Sequence, residues 1–338
     1  MKNYNDILKN IQKKEKPGVN DHILLVDSMN TFIRNFTMIN LMTPQGHHIG
    51  GLVGFLKSLG YLVRTIQPSR VILAFDGPGS TIARKNVDSN YKANRNLTRI
   101  TNWEIYDNKE EERDSMANQM ERLIDYLHAL PVHMLTIPKI EADDTIGYIV
   151  QKYREQSNIT IVSSDKDFLQ LVTDKVNVYS PIKKIFYTPE TVRQELGVIP
   201  KNYLLYKALV GDNSDNLPGV KGLGAKTIWK MFPELQDNPD VSLDYIFETC
   251  EQNINKGKKY GSVLERMQRV ETNYELMNIQ QPVLMDHHKN HILDVLNNPI
   301  PPLNITGFLT MLEQDNIEGG VTKNPEGWLE IFRNLTIN

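Results

Sequence analysis

Three short apolar segments each end in an aspartate: HILLVD (22–27), VILAFD (71–76) and ITIVSSD (159–165). Short, mostly apolar runs of this length predict buried strands. Helical patterns separate them over 52–66, 116–130 and 142–153, the last opening from the turn Glu141-Ala142-Asp143-Asp144. Strands that alternate with helices predict right-handed crossovers and a mainly parallel sheet. Ligands of such sheets sit at the carboxyl ends of the strands. Three strands that end in Asp therefore line their acids along one edge, and that edge is the expected site.

The rest of the chain is organised around this α/β block. Its 338 residues, 40% hydrophobic and 23% charged, suit about two domains. A polar arm over 1–21 precedes an α/β domain over 22–200. Near residue 200 the strand patterns fade, and a helical domain is expected over 201–279. Residues 280–338, with the joint Asn298-Pro299-Ile300-Pro301-Pro302, form a tail to which no function is assigned. No run approaches the ~18 apolar residues of a membrane helix, and the polar N-terminus has no secretory apolar core. A single cysteine, Cys250, excludes a disulfide framework and a Cys-based zinc site, which points to a reducing cytoplasm.

Nine acids are candidates for the edge: Asp27, Asp76, Glu141, Asp143, Asp144, Asp165, Asp167, Asp212 and Asp215. Taken singly, each reads as a turn residue or a helix cap. Taken together, they repel one another and drive their pKa values upward unless cations neutralise them. Oxygen ligands without His or Cys select Mg²⁺, with Mn²⁺ as a substitute, over zinc. Two such ions activate water and stabilise the leaving oxygen of a phosphodiester. The formal net charge of −3 argues mildly against a nucleic-acid partner. Setting the nine acids aside leaves 32 acids against 38 bases, so the remainder is net positive.

The order of the motifs VD, FDG, EADD, SSDKDF and GDNSDNLPGVKGLGAKT resembles the 5′-nuclease family of flap endonucleases and 5′→3′ exonucleases. The resemblance runs over about residues 22–275, and the added C-terminal segment is most similar to the phage ribonuclease H branch. It implies a PIN-like, mainly parallel sheet flanked by helices, plus a helix–three-turn–helix domain. It also implies that Asp27, Asp76, Glu141, Asp143 and Asp165 serve a tighter metal site or its water shell. Asp167, Asp212 and Asp215 would serve a second. Asp144 matches a position that is acidic in the phage and bacterial branches.

Two further segments fit a nucleic-acid reading. Residues 84–99 carry five bases and one acid, and 104–114 carry six acids and two bases. Such runs are commonly solvated faces. Here the basic run follows the Asp76 strand end, which hangs its cations over the acids, where phosphate charge needs stabilising. The resemblance matches a Tyr-Lys-x-x-Arg element to Tyr91, Lys92 and Arg95, with Lys92 and Arg95 on the scissile phosphate and Tyr91 stacking on a base. Arg84 is a further expected phosphate contact. Residues 80–115 would form an arch for a single strand, disordered without DNA. In GVKGLGAKT, Gly219, Gly222 and Gly224 allow tight turns and close approach of N–H groups to phosphates, with Lys221 and Lys226 adding charge. The family often binds a monovalent cation at this hairpin.

The expected function is a Mg²⁺-dependent 5′→3′ exonuclease or flap endonuclease, with ribonuclease H activity, that removes primers in lagging-strand replication. Its partners would be DNA and RNA–DNA duplexes with 5′ ends, flaps or nicks, met as a monomer. A single-strand-binding protein or a sliding clamp are candidate partners for the tail. Two rivals are weighed. One is a non-catalytic binder of branched DNA. The other is an aspartyl phosphatase, disfavoured because Asp27-Ser28-Met29-Asn30 lacks the Asp-x-Asp that this chemistry wants. Phe32 and Phe36 read as core, and the pairs His47-His48 and His287-His288 as surface residues.

Overall fold

The first apolar run forms β1 (His22–Asp27), and the second, β2 (Arg70–Phe75), pairs beside it in parallel. Between them lie α1 (Ser28–Met38) and α2 (Gly50–Ile66). The computed structural model describes residues 18–96, 100–317 and 320–336. Beyond β2 come α3 (Ile82–Val87), a 3-10 turn over Ala93–Asn96, and α4 (Lys109–His128). Then follow β3 (His133–Thr136), α5 (Ala142–Tyr153) and β4 (Asn158–Val162), with a 3-10 segment over Lys166–Leu171. The hairpin β5 (Val176–Ser180) and β6 (Ile185–Tyr187) and helix α6 (Pro189–Leu196) end the α/β block.

The second half is helical: α7 (Pro200–Val210), α8 (Ala225–Met231), α9 (Leu243–Gln252), α10 (Lys258–Leu264) and α11 (Met267–Met277). Two short strands, β7 (Gly211–Asp212) and β8 (Leu217–Pro218), pair between α7 and α8. Three more helices, α12 (Asp286–Asn297), α13 (Ile305–Gln314) and α14 (Pro325–Arg333), close the chain.

The main sheet has the strand order β3-β2-β1-β4-β5-β6, parallel throughout except for β6. Alternate side chains leave its two faces. Ile23, Leu25, Ile72 and Ala74 join a core with α5 and the helical half. Leu24, Val26, Val71 and Leu73 join a second core with α1, α2 and α4. Phe32 and Phe36 are fully buried in that second core. The tail belongs to it as well, since Phe308, Leu312, Leu329 and Phe332 of α13 and α14 pack on the same face. Gly60 of α2 makes this possible: a Cβ there would lie 2.3 Å from Nε1 of Trp328.

Outside the acid edge, the structure departs from the sequence reading in three places. Three strands beyond the Asp-ended runs complete the sheet: β3, β5 and β6. Residues 80–96 and 100–115, expected to be disordered, carry α3, a 3-10 turn and the start of α4. Asn108 caps α4 by accepting from the Glu111 N–H at 2.9 Å, and three glutamates in its first turn complement the dipole. Glu112 is buried, where it accepts from Thr101 N, Thr101 Oγ1 and Asn102 N at 2.6–2.8 Å and fixes the preceding loop. Finally, His48 is buried rather than on the surface, because its ring bonds the Tyr106 hydroxyl at 2.8 Å and the Ile39 carbonyl at 2.7 Å.

Candidate active site

β1, β2 and β4 run parallel, so their carboxyl ends share one edge. Asp27 closes β1 and caps α1, accepting from Asn30 N at 3.2 Å on one oxygen and from Ser163 Oγ at 2.8 Å on the other. Asp76 follows β2 and accepts from Ala142 N at 2.8 Å, which fixes the start of α5. Glu141 stands at the N-cap of α5, with Asp143 and Asp144 in its first turn. Asp165 follows β4 and accepts from Asp167 N at 2.8 Å, capping the 3-10 segment. The helical half adds Asp212 on β7 and the buried Asp215 in the next turn. Asp27 and Asp165 thus cap the segments that follow them, while Glu141 stands at an N-cap without a side-chain cap bond.

Crowding leaves its mark on these acids. Burial, with repulsion from Asp165 and Asp76, pushes Asp27 up to about 7 against the lowering effect of its two hydrogen bonds. Asp143 is raised well above the usual range by burial and then by Asp165 and Asp27. Asp165 is raised by burial, with Asp215 and Asp212 adding repulsion. Asp167 is pushed up to about 7 by burial and by Asp165. All four carboxyls are thus raised, by burial first and then by repulsion from their acid neighbours.

Three cations supply part of it. Arg84 is 5% exposed and donates to Glu141 Oε2 at 2.8 Å, to both oxygens of Asp144 at 2.7 and 3.0 Å, and to the Leu276 carbonyl at 3.0 Å. Lys92 Nζ donates to Glu141 Oε1 at 3.0 Å. Lys207, on α7, pairs with Asp167 at 2.9 Å and with Asp212. Burial raises Asp212 less than Lys207 and Ser214 lower it, so this carboxyl lies below the ordinary range. Lys207 was missed in the sequence, because a single lysine in KALVGD carries no pattern. Only its position one helix end before Asp212 hints at the role.

Several expected contacts sit elsewhere. Arg84, expected at a phosphate, is enclosed by Glu141, Asp144 and the α11 backbone. Tyr91, expected to stack on a base, is 2% exposed and donates its hydroxyl to Glu141 Oε2 at 3.1 Å. Asp144 also accepts from Val283 N at 3.1 Å, so it joins α3, α5 and the segment after α11. Arg95 lies on the 3-10 turn Ala93–Asn96, and its side chain falls outside the described residues. His287 and His288 lie in the first turn of α12 with their rings tilted against each other, 3.9 Å between centroids.

The glycine-rich segment forms a turn between β8 and α8. A Cβ on Gly219 would lie 2.0 Å from the Val210 carbonyl oxygen, and Gly222 has a φ of +78°. Val220 and Leu223 are buried and pin the turn, and Gly224 caps α8. Lys221 and Lys226 stay exposed. The Lys259 ammonium donates to the Gly222 carbonyl at 3.0 Å and the Lys221 carbonyl at 3.4 Å.

Whether divalent ions fit is answered by the donor set. Among the described residues no three or more His, Cys, Asp or Glu side chains are closed around one point. The edge nonetheless holds hard oxygen donors alone, four of them raised by burial and by mutual repulsion, and two lysines and an arginine stand among them. Cationic charge placed there relieves repulsion that burial has made expensive. The residues fit a divalent cation held by oxygen ligands.

A mainly parallel, resolvase-like sheet with an acidic edge, joined to a helical SAM-like segment, defines a PIN-like nuclease fold. Residues 22–197 match the family model described as the 5′-3′ exonuclease N-terminal resolvase-like domain, and 198–295 match the 5′-3′ exonuclease C-terminal SAM fold. This chain belongs to the 5′-3′ exonuclease family, whose members hydrolyse phosphodiesters. It is 35% identical over 226 residues to a 5′-3′ exonuclease of Bacillus subtilis, covering 64% of this chain and 71% of that one. It is 30% identical over 249 residues to DNA polymerase I of the same organism, covering 72% of this chain and 26% of that one. Its fold is similar to that of the T5 5′-exonuclease with bound zinc (TM-score 0.64, 21% identity, 83% of this chain and 100% of that one). It is also similar to the bacteriophage T5 flap endonuclease in a complex with DNA and metal ions (TM-score 0.62, 18% identity, 92% and 99% covered). Among the described residues no helix is long and apolar enough to cross a membrane.

Proposed function

We propose that this chain is a divalent-metal-dependent, structure-specific 5′-nuclease that cleaves at the 5′ ends of DNA or RNA-primer strands in duplexes, nicks and flaps. The observation that carries the reading is the crowding of Asp27, Asp143, Asp165 and Asp167 at the sheet edge, with Lys92 resting on Glu141 beside them. Asp27, Asp76, Glu141, Asp143 and Asp165 would hold one Mg²⁺, and Asp167, Asp212 and Asp215 a second, with Asp144 acting through Arg84. When bound, the ions supply an activated water and neutralise the leaving oxygen.

The chain's own residues do the rest. Lys92 leaves Glu141 Oε1 for a phosphate oxygen and, with Arg95, orients the scissile group. Glu141 keeps its bonds from Arg84 and Tyr91, so its position survives the departure of Lys92. Lys207 shields Asp167 from Asp212. The 201–279 domain grips duplex backbone through the 219–226 turn without reading bases, so junction shape sets specificity. Lys259 already supplies a tethered positive charge at the carbonyls expected to take a monovalent cation. Ribonuclease H activity and primer removal in replication follow as the biological setting, with a single-strand-binding protein or sliding clamp as further partners of a monomeric enzyme.

The test uses 5′-labelled nicked, flapped and RNA-primed duplexes in Mg²⁺ or EDTA, beside an Asp165→Asn variant. Short 5′ products that require both Mg²⁺ and Asp165 are expected. Tight binding without cleavage under any divalent metal would leave a non-catalytic branched-DNA binder in its place.

A further inference from the structure

The segment that carries Lys92 is laced to the loop that carries Asp212 and Asp215. The Lys92 backbone N–H donates to the Asp215 carbonyl at 2.9 Å. On one side of it, Asn94 Nδ2 donates to the Asn213 carbonyl at 3.0 Å. On the other, Asn216 Nδ2 donates to the Asn90 carbonyl at 2.9 Å. One turn earlier Asp88 pairs with Arg269 of α11 and fastens the same seam.

Both sides of the lace bend through left-handed backbone, with φ +52° at Lys92 and +59° at Asn216. Asparagine tolerates that region, whereas a lysine there is uncommon and adopts it at some cost, which its surroundings must offset. The imposed turn is what aims Lys92 Nζ at Glu141 Oε1, 3.0 Å away. The turn itself is closed by the Ala93 N–H on the Asn90 carbonyl at 3.0 Å, and the two amides brace it from either side against the loop that carries Asp215.

We infer that Asn94 and Asn216 are positioning residues for Lys92, coupling its placement to the helical half of the molecule. The inference rests on the reading of Lys92 as the phosphate-orienting group. A duplex held by the helical half then meets a lysine already in register with the acid edge, and misplacement by about an ångström loses much of the rate.

The experiment is single-turnover cleavage of a 5′-labelled flap at saturating enzyme in Mg²⁺, with the dissociation constant of the same flap measured in EDTA and the melting temperature of each variant recorded. The variants are Asn94→Ala, Asn216→Gly (which keeps the left-handed turn available), Lys92→Ala, and each asparagine change combined with Lys92→Ala. Each asparagine change is expected to slow cleavage on the order of tenfold while leaving flap binding within about twofold. In the Lys92→Ala background neither should slow it further, because the group they position is gone. Asparagine variants as fast as the parent, or slowed by the same factor with and without Lys92, overturn the inference and leave a structural role. A Lys92→Ala protein as active as the parent overturns the reading of Lys92 itself, and the inference with it.

Discussion

Asp27 divides its carboxylate between the Asn30 N–H and the Ser163 hydroxyl, yet burial and its acid neighbours still push it up to about 7. Asp167 is raised to about the same value. Between about pH 4 and 7 the folded chain therefore holds protons that the unfolded chain has released. The stability these groups contribute is present at low pH and lost as pH rises through about 7. In EDTA the melting temperature should fall between pH 6 and 8, and Asp27→Asn should flatten that slope. Mg²⁺ should restore more stability at pH 8 than at pH 6, and equal gains at the two values would contradict the account. Arg84 makes the opposite case, a cation whose loss strands its partners. Arg84→Met leaves Glu141 and Asp144 buried without it and should cost about 3–5 kcal/mol in urea unfolding. Replacing Asp144 by Leu in the same chain should recover part of that loss. All nine acids stand out as candidates in the sequence because each follows an apolar run or sits in a dense acidic motif. The destinations of Arg84 and Tyr91 do not, since only the closed fold shows that both side chains turn inward to Glu141.

At the level of elements, the strands that ended in Asp announced themselves, while β3, β5 and β6 did not. β3 spans four residues, and the hairpin β5–β6 alternates too briefly to separate from loop. The packing of α2 on the tail was equally hidden, because Gly60 gains its meaning from Trp328, far along the chain. Gly60→Ala forces the indole to shift and should destabilise the protein by about 1–3 kcal/mol in thermal or urea unfolding. The turn after β8 permits a separate test. Lys259→Met removes the ammonium from the carbonyls of Lys221 and Gly222. Duplex affinity should fall several-fold at low salt, with the single-turnover rate at saturation unchanged. A slowed rate at saturation would assign Lys259 to the chemistry rather than the grip.

Across the whole molecule, the tail is part of the α/β block. Asp315 accepts from Arg122 Nε at 2.8 Å and from the Tyr126 hydroxyl at 2.7 Å, which ties the end of α13 to α4. Truncation before Asn304 would strip Tyr126 and Leu127 of their cover, so the shortened chain should bind a hydrophobic dye and melt well below the full protein. The acid edge carries a consequence of another kind. Its members enter the chain from Asp27 to Asp215, and no single stretch of sequence contains the site. Loop closure over such separations is slow to nucleate. During synthesis the Asp27 end of β1 waits for β4 and then for the turn after α7 before it acquires its neighbours. A nascent or proteolytically opened chain therefore holds its acids apart, and the site proposed above is assembled only when the last of these long loops has closed.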